Sequence, residues 1–218
     1  MTTFPNSPRL LKGGLVLIDP DTSAVRRVIS LQYNPDSLSR TLQVQGTGEN
    51  ASPSDVLRLK GPPVETIKLE AEIDATDQLE FPDQNPAAGD VGLHPQLAVL
   101  ELLVHPGSTQ LQANRALANA GMLEIIPVAM PLILFVWSKS RLMPVRLTDF
   151  SITEEAFDPN LNPIRAKVSL GMRVLSVTDL GFEHKGGTLF MSYLQTKEQL
   201  STRSPGGALG VLGLGGIP

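Results

Sequence analysis

The sequence predicts a mainly β protein built from antiparallel strands, with one or two flanking helices. Three observations carry that expectation. Two long segments alternate apolar and polar residues with a period of two. Clusters of turn-forming residues stand between several strand-like segments. Helical spacing of apolar residues occurs in only two places. "TIKLEAEID", 66–74, sets Ile67, Leu69, Ala71 and Ile73 on one face against Lys68, Glu70, Glu72 and Asp74. "IRAKVSLGMRV", 164–174, sets Ile164, Ala166, Val168, Leu170, Met172 and Val174 against Arg165, Lys167, Ser169 and Arg173. Such alternation marks a strand with one buried and one wetted face, the habit of antiparallel sheets. At about 3.3 Å per residue these two strands reach roughly 30–36 Å, longer than the usual strand of five or six residues.

Taken in order, 14–18 and 26–33 read as an opening hairpin around "DPDTSA", where Asp19-Pro20-Asp21 supplies the turn. Asn34-Pro35-Asp36-Ser37 then separates 26–33 from a second strand-like stretch, 41–45. Asn and Asp bond their own backbone and Pro presets φ, so this is a corner. Loops are expected at 46–64 and 82–92. Leu93, Leu97, Leu100 and Val104 recur at helical spacing, with Pro95 in the first turn. "LILFVW", 132–137, is apolar without alternation and is expected to be covered on both faces. In "VRLTDFSIT", 145–153, Val145 and Leu147 keep one phase and Phe150 and Ile152 the other. That slip near Asp149 predicts a β-bulge. Asp158-Pro159-Asn160 marks another loop. A second helix is expected over 188–200, pairing Leu189 with Tyr193 and Phe190 with Leu194.

The 218 residues suit one large β-rich domain or two small ones, and 41% hydrophobic against 18% charged residues allows a real core. A net charge of −4 without a basic run disfavours broad nucleic-acid binding. Cysteine is absent, which excludes disulfides, thiol catalysis and Cys-ligated metal. The opening "MTTFPNSPRLLKGG" lacks a basic n-region and an apolar core, so no secretory leader is expected. The apolar stretch 125–137 holds Pro127 and Pro131 and is too short to cross a bilayer.

Catalytic chemistry is not legible. His94 and His105 would share a helix face, but eleven residues on a helix separate them by roughly 16 Å, too far to hold one metal. Surface or capping roles are expected for them and for His184. Glu154 and Glu155 are neighbours that point apart. "KGGT", 185–188, precedes the second helix; its amides could hold an anion, though a helix-start loop is the simpler reading. "NAS", 50–52, fits a glycosylation triplet that chance also produces. No catalytic residue, metal ligand or cofactor is expected.

Several segments in order, "LQYNPDSLSR", "GPPVETIKLEAEIDATDQLE", "GLHPQLAVLELLVHP", "PLILFVW" and "MPVRLTDFSITEEAFDPNLNPIRAKVSLGMRVL", resemble the tube-protein domain of contractile injection systems, the phage-tail-like particles of bacteria. The likeness covers roughly 12–180 and is nearest to the baseplate-hub or inner-tube-initiator subunit. Relatives often continue into a LysM module, which is not found here, so peptidoglycan binding is not carried over. The resemblance implies a β-barrel or sandwich of phage tail-tube type, assembled as a six-fold ring around a channel, between the spike at the baseplate and the inner tube. Partners would be further copies, the spike, tube or tube-initiator subunits and other baseplate proteins. Nucleic acid and direct membrane insertion are not expected. Synthesis in the bacterial cytoplasm is implied, in a particle kept inside or released.

On that reading the chain divides into an N-terminal arm, 1–11, a tube-like domain, 12–180, a C-terminal helix, 181–203, and a Gly-rich tail, 204–218. The channel-facing candidates are Lys68, Glu70, Glu72, Arg165, Lys167 and Arg173. Contacts between subunits or layers would come from Tyr33, Asn34 and Pro35 at the first corner. The loop Phe157, Asp158, Pro159, Asn160, Leu161, Asn162 and Pro163 would supply others, with Asn160 or Asn162 taking the turn geometry. The tail, "PGGALGVLGLGGIP", has no charged side chain and is expected to order only on a neighbouring subunit or the spike, the alternative being a disordered remnant where relatives carry an extra module. Rival readings are a monomeric β-barrel holding a small ligand, a hydrolase with an unrecognised site, and an inner-tube subunit proper.

Overall fold

A computed structural model describes residues 10–46, 56–121 and 130–217. The "NAS" triplet, most of the N-terminal arm and the first part of the 125–137 stretch lie outside these residues. Among the described residues seven strands form one sheet: β1 (Gly14–Ile18), β2 (Val25–Ser30), β3 (Leu38–Gln43), β4 (Val64–Asp74), β5 (Leu132–Ser138), β6 (Arg141–Phe157) and β7 (Pro163–Val174). Every neighbouring pair is antiparallel, in the order β2-β1-β5-β6-β7-β4-β3. The chain is mainly β with flanking helices. A single sheet replaces the two layers of a sandwich.

The strand order forces that sheet to curl. β2 and β3 are consecutive in the chain yet lie at opposite edges. In a flat sheet six steps of about 4.8 Å would hold them roughly 29 Å apart. The eight steps from Ser30 to Leu38 reach that distance only when almost fully extended, and this segment contains a turn. The edges therefore come back toward each other. Gln32 shows where: its Nε2 donates to the Asp74 carbonyl at 2.7 Å, and its Oε1 accepts from the Asp74 N–H at 2.9 Å. One side-chain amide thus takes the place of a strand residue beside β4. Asn34 does the same beside β1, accepting from Gly13 N–H at 2.9 Å and donating to the Leu11 carbonyl at 2.8 Å. The corner is not a hairpin but a crossing from one edge to the other.

β6 carries the stagger that curling requires. Its first residues, up to Val145, pair with β5, and from Val145 to Phe157 it pairs with β7. The expected bulge falls between Leu147 and Asp149. Opposite it, a Cβ on Gly171 would stand 2.8 Å from the Asp149 side chain, so only glycine lets that side chain fold over β7.

The apolar phases of β4 and β7 are buried together, as their alternation predicts. Ile67, Ala166, Val168 and Met172 have no solvent exposure. They join Leu15, Phe135, Met143 and Val145 in the main core. Ile133 and Phe135 point into that core while Leu132 and Leu134 join a second cluster with Ile18, so β5 is covered on both faces. After the short helix α1 (Thr76–Leu79), helix α2 (Pro86–Val91) lies where a loop was expected over 82–92. Next comes α3 (His94–Glu101), with α4 (Ser108–Asn119) unforeseen in the sequence. α4 buries no residue, so core packing does not hold it. In α3, Leu97 and Leu100 enter the core and Pro95 sits in the first turn. Val104 is exposed beyond the helix end, and Leu103 is buried in its place. His105 also lies beyond α3, so it shares no helix face with His94.

After α5 (Val177–Leu180) comes α6 (Lys185–Ser201), which links the two clusters: Leu189 packs in the second, Phe190 and Tyr193 in the main one. "KGGT" is the first turn of α6 itself. His184 Nδ1 caps it by accepting from Gly186 N–H at 3.0 Å, and a Cβ on Gly187 would lie 1.9 Å from the Gly181 carbonyl. The glycines serve close packing rather than an anion.

Burying an unpaired carboxylate among these residues costs several kcal/mol. Leu69→Asp or Val168→Asp is expected to abolish the cooperative thermal transition seen by circular dichroism. Lys167→Ser, on the opposite face, is expected to melt within about 1 kcal/mol of the parent.

Candidate functional site

The polar phases of β4 and β7 form one continuous face, and β6 widens it. In register, Glu72 stands opposite Lys167 and Asp74 opposite Arg165, while across the other flank of β7, Thr153 meets Lys167 and Glu155 meets Arg165. Lys68, Glu70, Glu72, Arg165, Lys167 and Arg173 all lie on this face. The structure adds Asp74, Arg146, Asp149 and Glu155, giving five basic and five acidic side chains among the ten named. Ion pairs knit its centre. Arg165 reaches Asp74 at 2.7 Å and Glu72 at 3.6 Å, and Lys167 reaches Glu155 at 3.1 Å. The hydrogen bond and charge of Asp74 raise the Arg165 pKa, and those of Glu155 raise that of Lys167. Arg173 differs from the others. It is half-buried and bonded at 2.7 Å to Asp179 of α5, which ties the helix to the sheet.

The corner lies against this face. A cleft of about 330 Å³ is lined by residues 33–37 together with Glu70, Glu72 and Lys167. Two groups of residues singled out separately in the sequence are therefore neighbours. Tyr33 is half exposed above the cleft, while Asn34 is committed to the chain before β1.

The β6–β7 loop joins two long strands, as expected. Asp158 organises it: its Oδ1 accepts from the N–H groups of Asn160 and Asn162, each at 2.8 Å, and its Oδ2 from Asn162 Nδ2 at 2.8 Å. The amide and side chain of Asn162 hold the Asp158 carboxyl below its ordinary pKa. The left-handed residue is Leu161, at φ 67, rather than either asparagine. Leu161 N–H donates to the Asp158 carbonyl at 3.0 Å, and the Asp158 carboxyl holds the residues on either side of it. Phe157 and Leu161 are exposed, at 49% and 77%. Pro163 is buried, and its carbonyl accepts from Leu93 N–H at 2.9 Å, so it anchors the start of α3 and offers no outer surface.

A buried ionic cluster holds α6 against the sheet. Glu65 shares the phase of Ile67 and Leu69 and is 4% exposed. Arg40 Nε donates to it at 2.8 Å and Lys197 Nζ at 3.1 Å; the Tyr193 hydroxyl lies 3.1 Å from its Oε1. Arg40 also donates to the Tyr193 oxygen at 3.0 Å, and Lys197 stands 4.1 Å over the Tyr193 ring. Burial pushes the Glu65 pKa up, but the bonds and charges of Arg40 and Lys197 outweigh it and hold it down. Burial raises the Tyr193 pKa. The signal was present in "VETIKLEAEID": Glu65 is a charge in the apolar phase, and only a partner permits that.

Among the described residues no group of three His, Asp or Glu side chains is placed to hold a metal ion, and no helix is long and apolar enough to cross a membrane. No protein-family model matches the chain, and no curated protein matches it.

Glu65→Gln leaves Arg40 and Lys197 without their anion. The expected loss at pH 7 is about 2–3 kcal/mol, below the full cost of breaking a buried pair because both cations keep some exposure. The folded carboxyl titrates below its ordinary value of 4.5. Its contribution is therefore present above about pH 4.5 and fades as pH falls through the folded pKa. Urea unfolding at pH 7 and pH 3 checks this: the gap between parent and variant should shrink at the lower pH. An equal gap at both would show that charge is not what Glu65 contributes.

Proposed function

We propose that the chain is a non-enzymatic structural subunit of a contractile injection system, forming a six-fold ring that joins the spike and baseplate hub to the inner tube. The observation that carries this reading is the upper part of β6. Residues 146–157 have β7 on one side and, among the described residues, no strand on the other. Such an edge presents a row of N–H and C=O groups that another strand can satisfy. A contact between unlike edges of successive copies is head-to-tail, and rotation about an axis closes it into a ring.

The charged face supports the same reading. A sheet that is apolar toward its core and wetted on the other side suits the wall of a water-filled channel. Its ten charges cancel, so it offers no strong net field to hold a polar cargo in passage. The corner at 33–37 and the 158–162 loop are exposed at the margins of that face, where contacts to other layers would form.

Mass photometry of the purified chain at micromolar concentration, followed by negative-stain imaging, tests the proposal. A six-copy species with a central hole is expected. A single-copy species that persists across the concentration range would overturn it.

A further inference from the structure

Two strand edges face each other across the seam of the curled sheet. Among the described residues β2 pairs only with β1, and β3 stops opposite Leu69, so β4 has no partner strand on that side from Glu70 to Ile73, the backbone of Asp74 being held by Gln32. Beside the Gln32–Asp74 clasp lies a cavity of about 570 Å³ walled by residues 27–32 and 71–73. Both runs are consecutive. Because side chains alternate between sheet faces, consecutive lining means that the strand edges themselves look into the space. Its floor is apolar: Val168 and Leu170 of β7, with Leu100 of α3, are at most 6% exposed.

An independent feature fits that space. The C-terminal tail carries Val211, Leu212 and Ile217 at 83%, 73% and 80% exposure, and Leu209 and Leu214 are also exposed. Residues Leu209–Leu212 form a 3-10 turn in this structure; drawn out into an extended chain, Leu209 and Val211 share one face and Leu212 and Leu214 the other, so either pair can meet the apolar floor. The intervening glycines allow close backbone approach, and the tail itself brings no charge to a cavity whose rim holds Lys12, Arg27, Glu72 and Asp77.

We propose that the seam is a strand slot, and that residues 208–214 of a second copy enter it, bonding to β2 on one side and β4 on the other. The inference rests on the ring reading, since each subunit would pass its tail to the next. The chain's own tail is poorly placed. Lys197 is anchored at Glu65, seven residues or roughly 23 Å along β4 from Glu72. Residues 198–204 remain in helical turns, advancing roughly 10 Å, and 205–207 add about 10 Å when extended. The own tail reaches that level only if every part points straight at it. A tail arriving from a neighbour carries no such constraint.

The chain has no cysteine, which makes cross-linking clean. Full-length Val28→Cys chains are mixed with Val211→Cys chains under mild oxidation, with Lys139→Cys in place of Val28→Cys as the control. The expected result is at least tenfold more cross-linked pair with Val28→Cys than with the control, and an equal loss when Leu209→Asp and Leu214→Asp are added to the Val211→Cys chain. Equal yields at both positions would overturn the inference. So would a Val28→Cys, Val211→Cys double variant that closes within one chain at high dilution. A six-copy ring without the preferential cross-link removes the slot and keeps the ring. The cross-link in open pairs or chains without a ring keeps the slot and removes the ring.

Discussion

The two edges of this sheet are adjacent in the chain, and the rest of the structure follows from that constraint. Seven residues must carry the backbone from β2 to β3, so the sheet rolls until its edges nearly meet. Rolling creates the enclosed apolar face that α3 covers and leaves the charged face outside. Closure by strand pairing is incomplete, because β3 accompanies β4 only as far as Leu69. Side-chain amides complete what the ladder leaves open. Gln32 and Asn34 present a donor and an acceptor in the spacing of a backbone peptide, and each is bonded through both atoms. A carboxylate could accept at such a site but could not donate.

Where the curl brings β3 and β4 under α6, the joint is ionic. An apolar residue at position 65 would pack at less desolvation cost, since buried ion pairs often do no better than apolar replacements. What the cluster adds is direction: two cations from separate elements and one hydroxyl converge on a single carboxylate, which sets where α6 sits along the sheet. On the outer face the same charges act differently. There the pairs Arg165–Asp74 and Lys167–Glu155 are wetted, contribute little each and keep the surface polar while neutralising it.

How much could be read in advance depended on how local the cause was. The alternation in β4 and β7, the bulge near Asp149 and the double coverage of β5 were all legible, because each is written in the phase of neighbouring residues. The helix α4 was not: Ala113, Ala116, Leu117 and Ala120 recur at helical spacing, but a stripe made mostly of alanine is a weak apolar signal, and the helix buries nothing. The extent of β6 was hidden for a related reason: beyond the bulge its side chains are exposed or only half buried, so the apolar rhythm weakens while the ladder to β7 continues. Leu161 took the left-handed turn position that composition favoured for asparagine, while Asn160 and Asn162 on either side bond the Asp158 carboxyl.

The residues by themselves determined which faces are apolar, where strands turn and which side chains share the charged face. Those are properties of a period of two and of turn chemistry, and they need no knowledge of what lies across the sheet. Only the tertiary structure decided that the corner at 33–37 spans two edges instead of making a hairpin, that it borders Glu70, Glu72 and Lys167, and that Glu65 meets Arg40 and Lys197. These depend on strand order and stagger, which bring together residues as much as 153 positions apart in the chain, as Arg40 and Tyr193 are. No local pattern encodes a partner at that distance; the curl of the whole sheet supplies it.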